Sequence, residues 1–226
     1  MKTKTDSKFI VFSFLLLIIV LGNSVQAQKH EENKTLDEKV KKFLDSHANQ
    51  WYDMNVPASD GKLLFDIIIE NNYRSALEIG TSTGHSAIWI AWALSKTGGK
   101  LITIEVNEDR YKEALKNFKE AGLSDYIDAR LADAHKLVNE LKGPFDFVFC
   151  DADKHWYKNY FLAVAPNISA GGCYTAHNVQ KFHRTNTYGR GRGISEFINY
   201  VDSLPDFKTT INESGSGLSI SYKKSD

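Results

Sequence analysis

Two hydrophobic spacings alternate along this chain. Leu36, Val40, Phe43, Leu44 and Ala48 recur at helical spacing, and after Pro57 the run KLLFDIIIENN predicts a second helix. Strand signals then begin. SALEIG (75–80) is short, apolar and ends in Gly, whereas HSAIWIAWALS (85–95) has the length of a helix. KLITIEV (100–106) is rich in β-branched residues, and EDRYKEALKNFKEAG (108–122) is an amphipathic helix with Gly at its end. The same beat runs through IDARLAD (127–133), a short helix around Leu137, FDFVFCD (145–151), a helix carrying Tyr157, Phe161 and Leu162, and GGCYTAHN (171–178). A helix over 194–203, a strand over 207–212, an SGSG turn and a strand over 218–222 close the pattern.

Successive strand–helix units predict an α/β fold, a doubly wound and mostly parallel sheet covered on both faces. The tight turn before the last strand implies an antiparallel pair at the sheet edge. In this class ligands bind beyond the C-terminal ends of the strands.

The first 27 residues do not share the alternation. Lys2, Lys4 and Lys8 precede a 13-residue apolar run from Phe9 to Leu21, and GNSVQA follows with small residues at Val25 and Ala27. That order predicts a secretory signal peptide at 1–27, cut before Gln28, and hence export to a secreted or periplasmic location. Thirteen helical residues span roughly 20 Å, short of a ~30 Å hydrocarbon core, so no membrane span is expected in the mature chain; an uncleaved signal anchor is the other reading. The remainder, 28–226, is expected to form one domain, with N-terminal helices over 28–73 and a Rossmann-like core over 74–226.

Composition narrows the function classes. The chain has 226 residues, 42% of them hydrophobic, with 28 Lys+Arg against 28 Asp+Glu. Such a balance excludes disorder and coiled coil, and the lack of any long basic cluster excludes nucleic acid as a partner. Cys150 and Cys173 are too few for a disulfide scaffold and are expected to be buried thiols.

Candidate chemistry gathers at the strand ends. Gly80 and Gly84 flank Ser82 in a strand-to-helix turn, where backbone N–H groups can approach a polar ligand; a purely steric role for the glycines is the plainer alternative. The same turn matches G-x-S-x-G, which would make Ser82 the nucleophile of a secreted serine esterase, with Asp151 and His177 or His183 as partners. Only about 50 residues separate the leader from Ser82, and their helical pattern leaves no room for the earlier strands of that fold. Glu105 ends the second strand, 25 residues after Gly80, where a carboxylate can accept from both hydroxyls of a ribose. Asp133 ends the third strand, Asp151, Asp153 and Lys154 follow the fourth, and His177 and Asn178 follow the fifth.

With these residues in place, the segments MNVPASDGKLLFDIII, ALEIGTSTGHSAIWIA, LITIEVNEDRYKEA, FDFVFCDADKHWYKNYF and GGCYTAHNV resemble, in order and spacing, the motifs of the catechol and caffeoyl-CoA O-methyltransferase family. The resemblance runs from about Trp51 to the C-terminus. It implies a seven-stranded Rossmann-like sheet with the last strand antiparallel, S-adenosylmethionine (SAM) as cofactor, a divalent cation, and a small aromatic substrate bearing adjacent oxygens. By position it implies that Glu78, Gly80 and Ser86 face the methionine part of the cofactor, Glu105 the ribose, and Asp133 with Ala134 the adenine, with Ser82 and Asp151 also cofactor-binding. Asn55 and Val56 match the segment covering the cofactor. Asp151 and Asn178 match cation ligands, and Lys154 matches the general base.

One departure stands out. Where the family has Asp-Asn after the fifth strand, this chain has His177-Asn178, which removes a hard, anionic oxygen ligand. Three outcomes are open: His177 ligates a softer ion, the site dispenses with metal and uses His177 as base, or turnover is lost and an exported binding protein remains. Arg184, Arg190 and Arg192, with His183 and Tyr188, would favour an anionic aromatic in a specificity loop, or form a solvated loop. Trp51, Tyr52 and Trp156 are candidates for stacking on an aromatic substrate, whereas Trp89 and Trp92 are expected in the core. A homodimer is possible.

Overall fold

The computed structural model describes residues 31–52, 54–185 and 191–225; the leader expected at 1–27 lies outside the described residues, as do Tyr188 and Arg190. Helix α1, described over residues 31–46, and α2 (Ala58–Asn71) precede the first strand. Pro57 opens α2, and Asn72, in the left-handed conformation at φ 54°, ends it by turning its N–H onto the Ile68 and Ile69 carbonyls. The alternation then runs β1 (Ser75–Ile79), α3 (His85–Thr97), β2 (Lys100–Glu105), α4 (Glu108–Ala121), β3 (Ile127–Leu131), α5 (Ala134–Leu137), β4 (Phe145–Cys150), α6 (Tyr157–Val164), β5 (Ile168–His177), α7 (Gly191–Asp202), β6 (Phe207–Asn212) and β7 (Leu218–Lys223).

Seven strands form one sheet in the order β3-β2-β1-β4-β5-β7-β6. The first five are mutually parallel, and β7 lies antiparallel between β5 and β6. Strand periodicity sorts side chains to the two faces. Ala76, Phe147 and Phe149 pack with α1 to α4, while Leu77, Ile79, Val148 and Cys150 pack with α6 and α7. Each large side chain so buried contributes roughly 1.5–3 kcal/mol. Trp89 and Trp92 belong to the first of these cores, and both cysteines are buried free thiols, as read from the sequence.

Two element boundaries differ from expectation. β5 starts at Ile168, ahead of the predicted Gly171, because the register with β4 shifts between Phe145 and Phe147 and Ile168 pairs before that irregularity. α7 is already helical at Gly191, ahead of the predicted Ile194, inside a stretch whose glycines hide the helical pattern. Among the described residues, no helix is long and apolar enough to cross a membrane.

Candidate active site

The chain leaves β1 toward β2 on one side, whereas β4 pairs with β1 on the other. At that switch point a cleft of about 860 Å³ opens beyond the strand ends. Gly80 lies at its floor with φ +100°. A Cβ there would stand 2.5 Å from the Asp151 carbonyl oxygen, so only glycine lets the β1–α3 turn meet the end of β4.

On the β2 side, Glu105 is held by three backbone N–H groups. Ser82 N–H donates to Oε2 at 2.7 Å, and Val106 and Asn107 N–H donate to Oε1 at 3.1 and 2.9 Å. Its oxygens keep further acceptor capacity for a pair of hydroxyls. Asp133 caps α5, accepting from the His135 N–H at 3.0 Å and from His135 Nδ1 at 2.8 Å, and these hydrogen bonds hold its carboxyl below the usual range. Ala134 follows on the cleft wall. Asn55 reaches from the segment before α2, donating to Thr83 Oγ1 at 2.8 Å, so the N-terminal region is tied to the Gly turn.

Three expected cofactor residues lie behind this wall rather than on it. Val56 is buried and its carbonyl meets His85 Nδ1 at 2.8 Å. Glu78 is fully buried and accepts from Thr103 Oγ1 at 2.5 Å; burial pushes its carboxyl up to about 8, against the pull of the Ser86 and Thr103 hydroxyls. Ser86, also buried, sits beside it. The donors, the bare Gly80 Cα and the fixed Glu105 carboxylate fit a nucleoside cofactor such as SAM.

On the β4–β5 side the arrangement changes. Asp151 is tethered by its N–H to the Ile79 carbonyl at 2.9 Å. Lys154 Nζ donates to Asp151 Oδ1 and, at 2.6 Å, to Tyr157 Oη, which donates onward to the His177 carbonyl at 2.9 Å. His177 is bracketed by carboxylates: Nδ1 lies 3.0 Å from Asp151 Oδ2 and Nε2 lies 2.9 Å from Asp60 Oδ2. Burial opposes charging of this ring, but hydrogen bonds to and the charges of Asp151 and Asp60 prevail and raise it to about 9. Burial likewise pushes Asp151 up, yet His177 and Lys154 hold its carboxyl below the usual range. A charged imidazolium has no lone pair to receive a proton, so the two acceptors around His177 speak against its acting as base. Asn178, at φ +57°, completes this side.

Asp60 was not foreseen. It is fully buried, comes from the first turn of α2, and also accepts the Ser216 N–H at 3.0 Å from the β6–β7 turn. In the sequence it reads as an ordinary acid at a helix N-terminus. His135 was missed as well; it lines the cleft, stacked on Tyr160 at 5.6 Å, and a lone His on a four-residue helix gives no signal.

The stacking candidates sit elsewhere. Trp51 stacks on His85 at 4.4 Å and lines a second cavity of about 700 Å³ with Phe65, Trp89 and Trp92. Tyr52 is exposed, and Trp156 packs edge-on against His135 at 4.3 Å. Arg184 pairs with Asp202 at 2.7 Å and Arg192 with Glu196 at 3.8 Å. His183 Nδ1 accepts the Gln180 N–H at 3.0 Å, closing a cap at 180–183.

This geometry has counterparts. The chain is 30% identical over 171 residues to a caffeoyl-CoA O-methyltransferase of Medicago sativa, covering 73% of this chain and 66% of that protein, and 39% identical over 130 residues to a catechol O-methyltransferase of Niastella koreensis, covering 56% and 58%. It thus spans just under two thirds of the Medicago protein's length. Among solved structures it superposes on an O-methyltransferase from Bacillus cereus in complex with SAH (TM-score 0.69, 28% identity, 84% and 91% covered) and on TomG from Streptomyces achromogenes in complex with SAM (TM-score 0.72, 26% identity, 83% and 90% covered). With the family model described as O-methyltransferase matching residues 25–184, on a fold and cleft of the same plan, the chain belongs to the O-methyltransferase family.

Proposed function

We propose that this protein transfers a methyl group from SAM to a hydroxyl of a small, catechol-like aromatic. The observation carrying this reading is that Glu105, suited to a ribose, and Lys154, suited to a phenolic proton, line the same cleft with Gly80 between them. SAM supplies an electrophilic methyl on a sulfonium. Glu105 and the Ser82 turn orient the nucleoside, so that attack is pre-organised rather than bimolecular. Lys154, in its unprotonated form, takes the hydroxyl proton as the substrate oxygen bonds to the methyl carbon and the carbon–sulfur bond breaks, leaving a thioether and a lysine ammonium. Asp151 and Tyr157 fix the position of that Nζ. The names of the Medicago and Niastella relatives support the aromatic substrate class.

The test is calorimetry with SAM and SAH, followed by mass spectrometry of catechol and caffeate after incubation with SAM. Failure to bind either nucleoside at millimolar concentration would sink the reading, and binding without turnover would favour an exported binding protein. Lys154→Ala is expected to lower kcat by about 10²–10⁴-fold with SAM binding retained. We also propose export through the 1–27 leader; N-terminal sequencing of the extracytoplasmic protein should begin at Gln28.

A further inference from the structure

We infer that this enzyme works without a divalent cation, because His177, held as an imidazolium between Asp60 and Asp151, fills the electrostatic place that a cation would take. The inference rests on the methyl-transfer reading above. Its basis is hydrogen-bond chemistry. A carboxylate only accepts, so a ring whose Nδ1 meets Asp151 Oδ2 at 3.0 Å and whose Nε2 meets Asp60 Oδ2 at 2.9 Å donates from both nitrogens. Such a ring has no lone pair for a metal, and binding one requires losing a proton.

The residues expected as ligands are thus bonded to each other. Asp151 is spent on both oxygens, one on His177 and the other on Lys154. Among the described residues, no group of three or more His, Cys, Asp and Glu is arranged to hold a metal. A dication at Nδ1 would have to displace the proton that His177 directs at Asp151 and take that carboxylate from Lys154, while the Nε2–H stays on the fully buried Asp60. Asp60 has no room to swing away. A Cβ on Gly215 would stand 1.8 Å from its Oδ1, so the β6–β7 turn presses directly on the carboxylate. Two carboxylates, Asp60 and Asp151, flank the His177 ring, and Lys154 holds the other oxygen of Asp151. The positive charge beside a developing phenolate comes from the His177 imidazolium until Lys154 has taken the hydroxyl proton, and Asp60 is the positioning residue that keeps the imidazolium in place.

The test uses the full chain. Mn²⁺ binding is followed by electron paramagnetic resonance, with and without SAH, beside methyl transfer to catechol in EDTA and in Mg²⁺. The expected result is no bound Mn²⁺ up to millimolar concentration, equal rates in EDTA and Mg²⁺, and ¹⁵N shifts at neutral pH showing both His177 nitrogens protonated. His177→Asp should bind Mn²⁺ at least about tenfold more tightly than wild type. Stoichiometric Mn²⁺ on the wild type that disappears in Asp151→Asn, or a neutral His177 ring, would overturn the inference. If His177→Asp does not fold, the wild-type Mn²⁺ and ¹⁵N measurements still decide it. SAH calorimetry on the same sample separates the two levels: absent SAH binding removes the methyl-transfer reading, while the Mn²⁺ result judges the cation site alone.

Discussion

The two ends of the cleft are built by different means. Around Glu105 the fixing groups are backbone donors, two of them the N–H groups of the next two residues and the third that of Ser82, 23 residues back. Around His177 they come from distant elements, with Asp60 117 residues away and Ser216 a further tie to Asp60 across 156. The first end is a binding surface made from backbone donors, where losing a side chain costs affinity. The second is a buried ion network, where losing one member leaves an opposite charge uncompensated and costs the fold.

The largest effect should come from breaking that network. Asp60→Ala removes the acceptor at His177 Nε2 and is expected to cost about 3–5 kcal/mol in urea denaturation at neutral pH. A loss below about 1 kcal/mol would mean that the two ends do not differ in kind.

The pH profile sharpens the same contrast. His177 is raised from 6.5 to about 9 in the folded state, so its contribution is fully present below pH 6.5 and lost as pH rises through about 9, on the order of 3 kcal/mol in all. Glu78 is also raised, from 4.5 to about 8, because burial disfavours its charge, and it lowers stability as pH climbs through that window. Stability should therefore fall from pH 4.5 to 9. Urea midpoints across this range should flatten above pH 8 in His177→Gln, where only the His177 window remains, and below pH 6.5 in Glu78→Gln, where only the Glu78 window lies; an unchanged limb above pH 8 in His177→Gln would refute the charged ring.

At the local end the readout moves from stability to affinity. Glu105→Gln removes the charge proposed to meet the ribose, and a hydrogen bond to a charged group is worth about 1.5–3 kcal/mol, so SAM affinity by calorimetry should fall roughly 10–100-fold. Its urea midpoint should shift far less than that of Asp60→Ala.

The same division explains what could be read from the sequence. The seven strands, the Gly80 turn, Glu105 and Asp133 follow from periodicity and from residues at strand ends, since the fold class itself brings those ends together. Lys154 and His177 were found by position. What His177 does was not legible, because its state is set by Asp60, whose first-turn location on α2 looks like an ordinary solvated acid until the β6–β7 turn closes over it. Val56, Glu78 and Ser86 were placed at the cofactor by motif, yet they stand behind the cleft, since a motif does not say which of its residues point inward. Trp51 went to the second cavity because its ring finds His85.

The smallest effect belongs to Ser82, and it separates two chemistries. In the methyl-transfer reading the Ser82 backbone N–H, at 2.7 Å from Glu105 Oε2, sets the carboxylate, and Ala keeps that N–H. Ser82 sits at φ +50°, a conformation that costs Ala somewhat more than Ser, and its hydroxyl contributes at most one ordinary hydrogen bond. Together these predict a change of about 1 kcal/mol or less, within roughly fivefold in SAM affinity and methylation rate. A serine hydrolase using Ser82 would instead lose its nucleophile, and hydrolysis of a p-nitrophenyl ester would vanish in the same variant. The ring nitrogens of His177 face carboxylates and His183 Nδ1 faces the Gln180 N–H, which is the arrangement expected if the hydroxyl is dispensable. Methylation abolished by Ser82→Ala would show that this end, too, depends on a side chain.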